Sequence, residues 1–240
     1  MSDGPSFDLS GKRALITGGR TGIGLAIARA FAANGASVTV TGVGAGGDTE
    51  EGFPFRRLDI ADGGAILALA REFDSLDILV NNAGSLYRDD REYDPALFAE
   101  VMDVNVNGTY RMCHAFLPVL EAAGGCILNV ASTSGLVPTV PNPAYGAAKA
   151  AMLHLNRTLA NAWGPRGIRV NALSPGWVRT KLSQAIQDDK VKSDGIEARN
   201  PMGRWGMPDD CAGAALYLAS PAAAHINGVN LVVDGGSSGR

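Results

Sequence analysis

The stretch RALITGGRTGIGLAIARAFAANGA, residues 13–36, constrains the fold of this 240-residue chain more than any other. RALIT (13–17) carries no charge after its first residue and reads as a buried strand. It runs into GGRTGIG and then into the apolar helical run LAIARAFAANGA, which Gly35 is placed to stop. A strand, a glycine turn and a helix in that order make the first half of a βαβ unit. Gly18, Gly22 and Gly24 let the backbone turn sharply, approach a pyrophosphate and pack helix against strand, while the helix N-terminus offers unpaired N–H groups and a positive dipole end. The spacing is G-x-x-x-G-x-G rather than G-x-G-x-x-G, and a glycine-rich turn without a ligand stays open as the competing reading at this point.

The rest of the chain repeats the alternation. SVTVT (37–41), FRRLDI (55–60), DILVNNAG (77–84), CILNVA (126–131), IRVNALS (168–174) and GVNLVVDGG (228–236) read as strands. Residues 63–73, 95–123, 143–164 and 208–220 read as helices, the last opening on Pro208 and two acidic residues. The glycine-rich crossover 43–54 reads as an irregular loop, residues 1–11 as a flexible lead, and the polar segment 177–206 as a mobile cover for the substrate. With no repeat or linker in sight, the expectation is one α/β domain: a doubly wound parallel sheet of about seven strands with helices on both faces. Thirty-one glycines suit such close packing, and aromatics at 6% leave the core to Ala, Val, Ile and Leu.

The chemistry concentrates in LNVASTSGLVPTVPNPAYGAAK, residues 128–149. Tyr145 and Lys149 stand at i and i+4 on a predicted helix, so they share a face. An ammonium beside a phenol favours the phenolate and moves the group from its usual value of about 10 towards general acid/base work at neutral pH. Such a pair alone is more often surface decoration. Ser132, at the end of a predicted strand, offers a hydroxyl to the same oxygen, and strand ends are where open parallel sheets bind ligands. Asn81, Asn82, Ala83 and Gly84 also end a strand. They are either turn residues or a small-residue floor for a ring system, with amides tying neighbouring strands together. Asn105 and Asn107 are poor helix formers inside 95–123, and Asn105 could loosen a turn and expose a carbonyl to water.

The net charge is −3 with no basic run, which argues against a nucleic-acid partner. Cys113, Cys126 and Cys211 are scattered, as are His114, His154 and His225, so no metal site is predicted and a reducing compartment is. No signal-peptide pattern and no stretch of ~18 or more apolar residues occurs. A cytoplasmic protein with no membrane partner is expected.

Taken together these residues resemble the classical short-chain dehydrogenase/reductase family along the whole chain. Thr17 to Gly24 matches its TGxxxGIG turn, Asn81 to Gly84 its NNAG, and Pro175-Gly176 its PG; Asn105, Ser132, Tyr145 and Lys149 fall in order on its catalytic tetrad. The resemblance implies a Rossmann-type fold and reversible hydride transfer between a nicotinamide and a secondary alcohol or ketone, or a sugar or acyl-type carbonyl. It implies Tyr145 as general acid/base and Ser132 as hydrogen-bond donor to the reacting oxygen. Lys149 would lower the phenol's pKa and bind the ribose, and Asn105 would hold a relay water. Cofactor contacts are implied at Gly18, Arg20, Thr21, Gly22, Ile23, Gly24, Asp59, Ile60, Asn82, Ala83, Gly84, Pro175, Gly176, Val178 and Thr180, besides Tyr145 and Lys149. The chain departs from the family at the end of the second strand, where Gly42 and Val43 replace the acidic or basic residue that usually selects the cofactor. Without a clear phosphate clamp, NAD is preferred to NADP. The resemblance also implies a homotetramer built through 95–123 and 143–164. A catalytically silent dinucleotide-binding regulator is the alternative; a nucleotide-sugar epimerase would need a larger C-terminal domain.

Overall fold

The computed structural model describes residues 6–44, 49 and 51–239. Seven parallel strands, β1 (Arg13–Thr17), β2 (Ser37–Gly42), β3 (Phe55–Arg57), β4 (Ile78–Asn81), β5 (Cys126–Val130), β6 (Arg169–Pro175) and β7 (Asn230–Val233), form one sheet in the order β3-β2-β1-β4-β5-β6-β7. The chain therefore starts mid-sheet, winds outwards to β3, and returns to the other side of β1 at β4. Neighbouring crossovers diverge there, and a crevice opens at the C-terminal ends of β1 and β4.

The strands are apolar on both faces because both are covered. Successive side chains point to opposite sides, so Leu15, Leu79 and Ile127 pack with Phe116, Leu120 and Met112, whereas Ile16, Val80 and Leu128 pack with Ile27, Phe31 and Leu218. The first layer includes α2 (Gly63–Ala70), α4 (Thr109–Ala123) and α5 (Pro143–Trp163), with α3 (Pro95–Met102) leading into α4. The second is α1 (Gly22–Ala33) and α8 (Pro208–Ala219). Between β6 and α8 lie two short helices, α6 (Gln184–Gln187) and α7 (Lys190–Arg199). Their segment is anchored by a parallel bridge between Val178 and Gly206 and by Trp205, which is buried and donates to Ser193.

Three expectations change. The helical region 95–123 is interrupted by a π turn at Asp103–Gly108. Gly108 lies there so close to Ile60 that a Cβ would stand 2.9 Å from its carbonyl oxygen. The third strand ends at Arg57, and Leu58 to Ile60 turn away towards α2. The described part of the lead is tied down rather than flexible: Leu9 is buried with its N–H on the Asn34 carbonyl, and Ser6 accepts from Ala222. Residues 1–5 of that lead, and 45–48 and 50 of the crossover, lie outside the described residues. Among the described residues no helix is long and apolar enough to cross a membrane.

Candidate active site

The crevice is built by stapling β1 to β4. The Thr17 hydroxyl accepts the N–H groups of Asn82 and Ala83 at 3.0 Å, and Asn82 Nδ2 donates to the carbonyls of Thr17 (2.9 Å) and Gly18 (3.0 Å). Asn81 works in the other direction, donating across to Asn129 on β5 at 2.9 Å. The tying role expected of these amides is thus met, once towards β1 and once towards β5.

The glycine turn is tight and uncapped. Gly22 has φ +57, and a Cβ on Gly24 would lie 2.5 Å from Asn82 Nδ2 and from the Gly18 carbonyl, so only glycine fits at either position. The N-cap of α1, Thr21, makes no side-chain bond, which leaves the first-turn N–H groups of Gly22, Ile23 and Gly24 without a cap. Thr180 closes the turn from the far side, its Cγ2 3.1 Å from a Cβ placed on Gly22. Val178 is buried, and its carbonyl accepts the Ser183 hydroxyl at 2.7 Å, so it can offer a ligand only its backbone. Pro175 ends β6, and Gly176 packs where a Cβ would meet Asp234 at 2.6 Å. Asp59 is exposed and accepts from the Ala61 N–H, whereas Ile60 is buried. Arg20 lies over the ring of Phe55, the first residue of β3, 4.6 Å from its centroid, and reaches Gly44 just after β2, where a Cβ would stand 3.3 Å from its guanidinium.

Ser132, Tyr145 and Lys149 meet at the end of β5. Ser132 follows the strand in extended conformation and accepts the Ser134 N–H at 3.1 Å, which starts a single 3-10 turn. That turn rests on α5 at Gly135, where a Cβ would lie 2.7 to 2.9 Å from backbone atoms of Lys149 and Ala150. The serine is thereby held against the helix that carries the other two groups, and its hydroxyl acts to lower the pKa of the Tyr145 phenol. Lys149 is 3% exposed; its ammonium donates to the Val130 carbonyl at 2.8 Å and lies 5.5 Å from the centre of the Tyr145 ring.

The electrostatics depart from the sequence expectation. Burial pushes the half-buried Tyr145 phenol up to about 12, Ser132 pulls it back, and the Glu92 carboxylate pushes it further up. Burial also pushes the Lys149 ammonium down to about 8. Desolvation is the largest cause of both shifts. At neutral pH the phenol therefore keeps its proton rather than standing as a preformed phenolate.

Asn105 sits in the π turn and is fully buried. Its amide donates to the carbonyls of Ser85 (2.8 Å) and Val101 (2.9 Å), and its Oδ1 has no partner. A Cβ on Gly84 would lie 2.6 Å from that oxygen and 3.7 Å from Lys149 Nζ, so Gly84 separates an unsatisfied acceptor from the ammonium by little more than its own backbone. The expected loosening of the helix is present. The carbonyl of Asn105 is not exposed, however: it accepts the Thr109 hydroxyl at 2.8 Å.

Two contributors escaped the sequence. Gly135 stands among Ser, Thr and Pro residues, and only its packing on α5 reveals it. Glu92, in the polar run RDDREYD, is fully buried and accepts the Tyr145 N–H at 2.9 Å. Nothing in its neighbours in sequence marks it.

A family model described as enoyl-(acyl carrier protein) reductase matches residues 18–238. The chain is 39% identical to a D-threitol dehydrogenase of Mycolicibacterium smegmatis, over 96% of this chain and 94% of that protein. It is 38% identical to a 2-dehydro-3-deoxy-D-gluconate 5-dehydrogenase of Pseudoalteromonas atlantica, over 98% of each. Among solved structures, a gluconate 5-dehydrogenase from Burkholderia cenocepacia in complex with NADP and tartrate superposes with a TM-score of 0.90, at 34% identity over 98% of each chain.

Proposed function

Because this chain belongs to the short-chain dehydrogenase/reductase family and is an NAD(P)-dependent oxidoreductase, we propose that Tyr145, Ser132 and Lys149 carry its reaction on a polyol or a sugar-derived hydroxy acid. The observation that carries the assignment of roles is the meeting of those three side chains at the end of β5, beside the glycine turn. The silent-regulator alternative falls, since relatives matching nearly the whole chain are dehydrogenases by name.

The nicotinamide, when bound, exchanges hydride at its C4. The chain's own residues do the rest. Ser132 donates to the substrate oxygen and holds it beside the phenol; Tyr145 gives that oxygen its proton during reduction and takes it back during oxidation. Lys149 reaches the ribose hydroxyls and, through a water on the unpartnered Asn105 Oδ1, replenishes the proton. The uncapped first turn of α1 holds the pyrophosphate, with Gly18, Gly22, Ile23, Gly24 and Thr180 around it, and Asn82, Ala83 and Gly84 floor the cleft.

For the cofactor we favour NADP(H) over the NAD(H) preference read from sequence. Arg20 on Phe55 brings a guanidinium to the segment that follows β2, where Gly42 and Val43 present no carboxylate, and the Burkholderia cenocepacia relative was solved with NADP. The segment 177–206 covers the substrate. Exposed Phe98 and Tyr110, on α3 and α4, support assembly of a homotetramer through this helix layer, and the free buried thiols Cys113, Cys126 and Cys211 support a cytoplasmic setting. Turnover of NADP(H) and NAD(H) over a panel of polyols, aldonates and their keto forms tests the reading. Cofactor binding without turnover of any panel member contradicts it.

A further inference from the structure

Glu92 lies in a run of charged residues that ordinarily face water, yet it is 0% exposed. A buried carboxylate is costly unless donors meet its lone pairs. Here three do: Oε1 accepts the Tyr87 N–H at 3.0 Å and Asn142 Nδ2 at 3.3 Å, and Oε2 accepts the Tyr145 N–H at 2.9 Å. The last bond has a particular meaning. Tyr145 is the third residue of α5, where a helix leaves its N–H groups unpaired, and the N-cap residue Asn142 makes no capping bond of its own. Glu92 supplies the cap from elsewhere in the chain, and its charge stands at the positive end of the helix.

The loop that delivers it is held in an unfavourable shape. Asp89 and Asp90 both have φ 58, a left-handed conformation that non-glycine residues seldom adopt, and here two adopt it in succession just before the turn Arg91–Tyr93. Such strain persists where surrounding contacts over-determine it, and it gathers at functional sites.

We propose that Glu92 is a positioning residue for proton transfer: through its bond to the Tyr145 N–H it fixes where the first turn of α5 begins, and so where the Tyr145 phenol stands. The proposal rests on Tyr145 being the acid/base group. The ionisable groups facing Tyr145 are Lys149 from its own helix and Glu92; β5 contributes the Ser132 hydroxyl, and the π turn contributes the uncharged Asn105. Within the loop of Glu92, Arg88 donates to the Leu182 carbonyl and Arg91 lies over the Tyr87 ring at 4.9 Å. The Glu92 charge raises the phenol's pKa in the same sense as burial, so it holds the proton in place for delivery to a carbonyl.

The test compares kcat, KM and the pH profile of alcohol oxidation in Glu92→Gln, Glu92→Ala and Tyr145→Phe, with melting curves for each. Both Glu92 variants are expected to lose about tenfold or more in kcat, with the dinucleotide KM within about threefold. In Glu92→Gln the ionisation that governs oxidation moves to lower pH by roughly half a unit or more, because a negative charge has gone. A merely stabilising Glu92 would lower the melting temperature and leave that profile in place. A Glu92→Gln enzyme with an unmoved profile and kcat within about twofold of the parent overturns the proposal. Amide exchange in the unaltered protein needs no variant: the Tyr145 N–H is expected to exchange slowly, and fast exchange overturns the proposal as well. Full activity in Tyr145→Phe would instead overturn the parent reading, so the two failures are distinguishable.

Discussion

The Lys149 ammonium donates to the Val130 carbonyl at 2.8 Å, which plants a buried cation at the end of β5. Its pKa is depressed from 10.5 to about 8 by that burial. Between those values the unfolded chain binds more protons than the folded one, so this group makes unfolding costlier as pH rises through the window and cheaper as pH falls back through about 8. The whole window corresponds to about 3 kcal/mol. Urea unfolding between pH 7.5 and 9.5, a range below the opposing ionisation of Tyr145, is expected to show the rise in the parent and its absence in Lys149→Met. Identical slopes in the two proteins would contradict the depressed pKa.

Tyr145 titrates in the opposite sense. Its phenol is raised from 10 to about 12, so it stays protonated where an ordinary tyrosine begins to ionise. Ultraviolet difference titration of the parent against Tyr145→Phe is expected to show no phenolate signal from this residue below pH 10. In catalysis, reduction stays insensitive to pH through neutrality, while oxidation accelerates towards alkaline pH as the phenol gives up its proton. A phenolate appearing near neutral pH would restore the picture drawn from the sequence alone.

Sequence gave the right neighbours here and the wrong balance of forces. The i, i+4 spacing of Tyr145 and Lys149 is visible in the letters, and a charge beside a phenol predicts acidification. Burial is a tertiary property, and it reverses the sign for the phenol. The same division runs through the fold. The strands β1, β2, β4, β5 and β6 and the helices α1, α5 and α8 were legible to within a few residues, because their apolar runs and glycine or proline ends are local. The π turn at Asp103–Gly108 was legible only as an anomaly, two asparagines in a helical run. The burial of Glu92 was not legible at all, since its partners Tyr87, Asn142 and Tyr145 are assembled by the packing of α5 against the loop after β4.

Gly135→Ala is expected to damage both stability and turnover. The added Cβ would fall 2.7 to 2.9 Å from three backbone atoms of α5, which cannot rotate aside as a side chain can. Overpacking of this kind costs about 1–3 kcal/mol. Ser132 would move with the displaced turn, so kcat falls more than the dinucleotide KM rises. A stable and fully active Gly135→Ala protein would show that the turn does not position Ser132.

Arg20→Ala separates the two cofactors. A charge-assisted hydrogen bond to a 2′-phosphate is worth about 1.5–3 kcal/mol, so KM for NADP(H) should rise roughly tenfold to a hundredfold while KM for NAD(H) hardly moves. Equal effects on both cofactors would place Arg20 at the turn rather than at the phosphate.

The most direct measurement is the pairing of single-turnover kinetics with dinucleotide binding in Tyr145→Phe, using the best substrate of the parent enzyme. Removing one hydroxyl should lower the hydride-transfer rate by about 10²- to 10⁴-fold, with the dinucleotide Kd within about threefold of the parent's. A Tyr145→Phe enzyme that transfers hydride at the parent rate would contradict the assignment of the phenol as the proton donor, and with it the reading of the cleft at the end of β5.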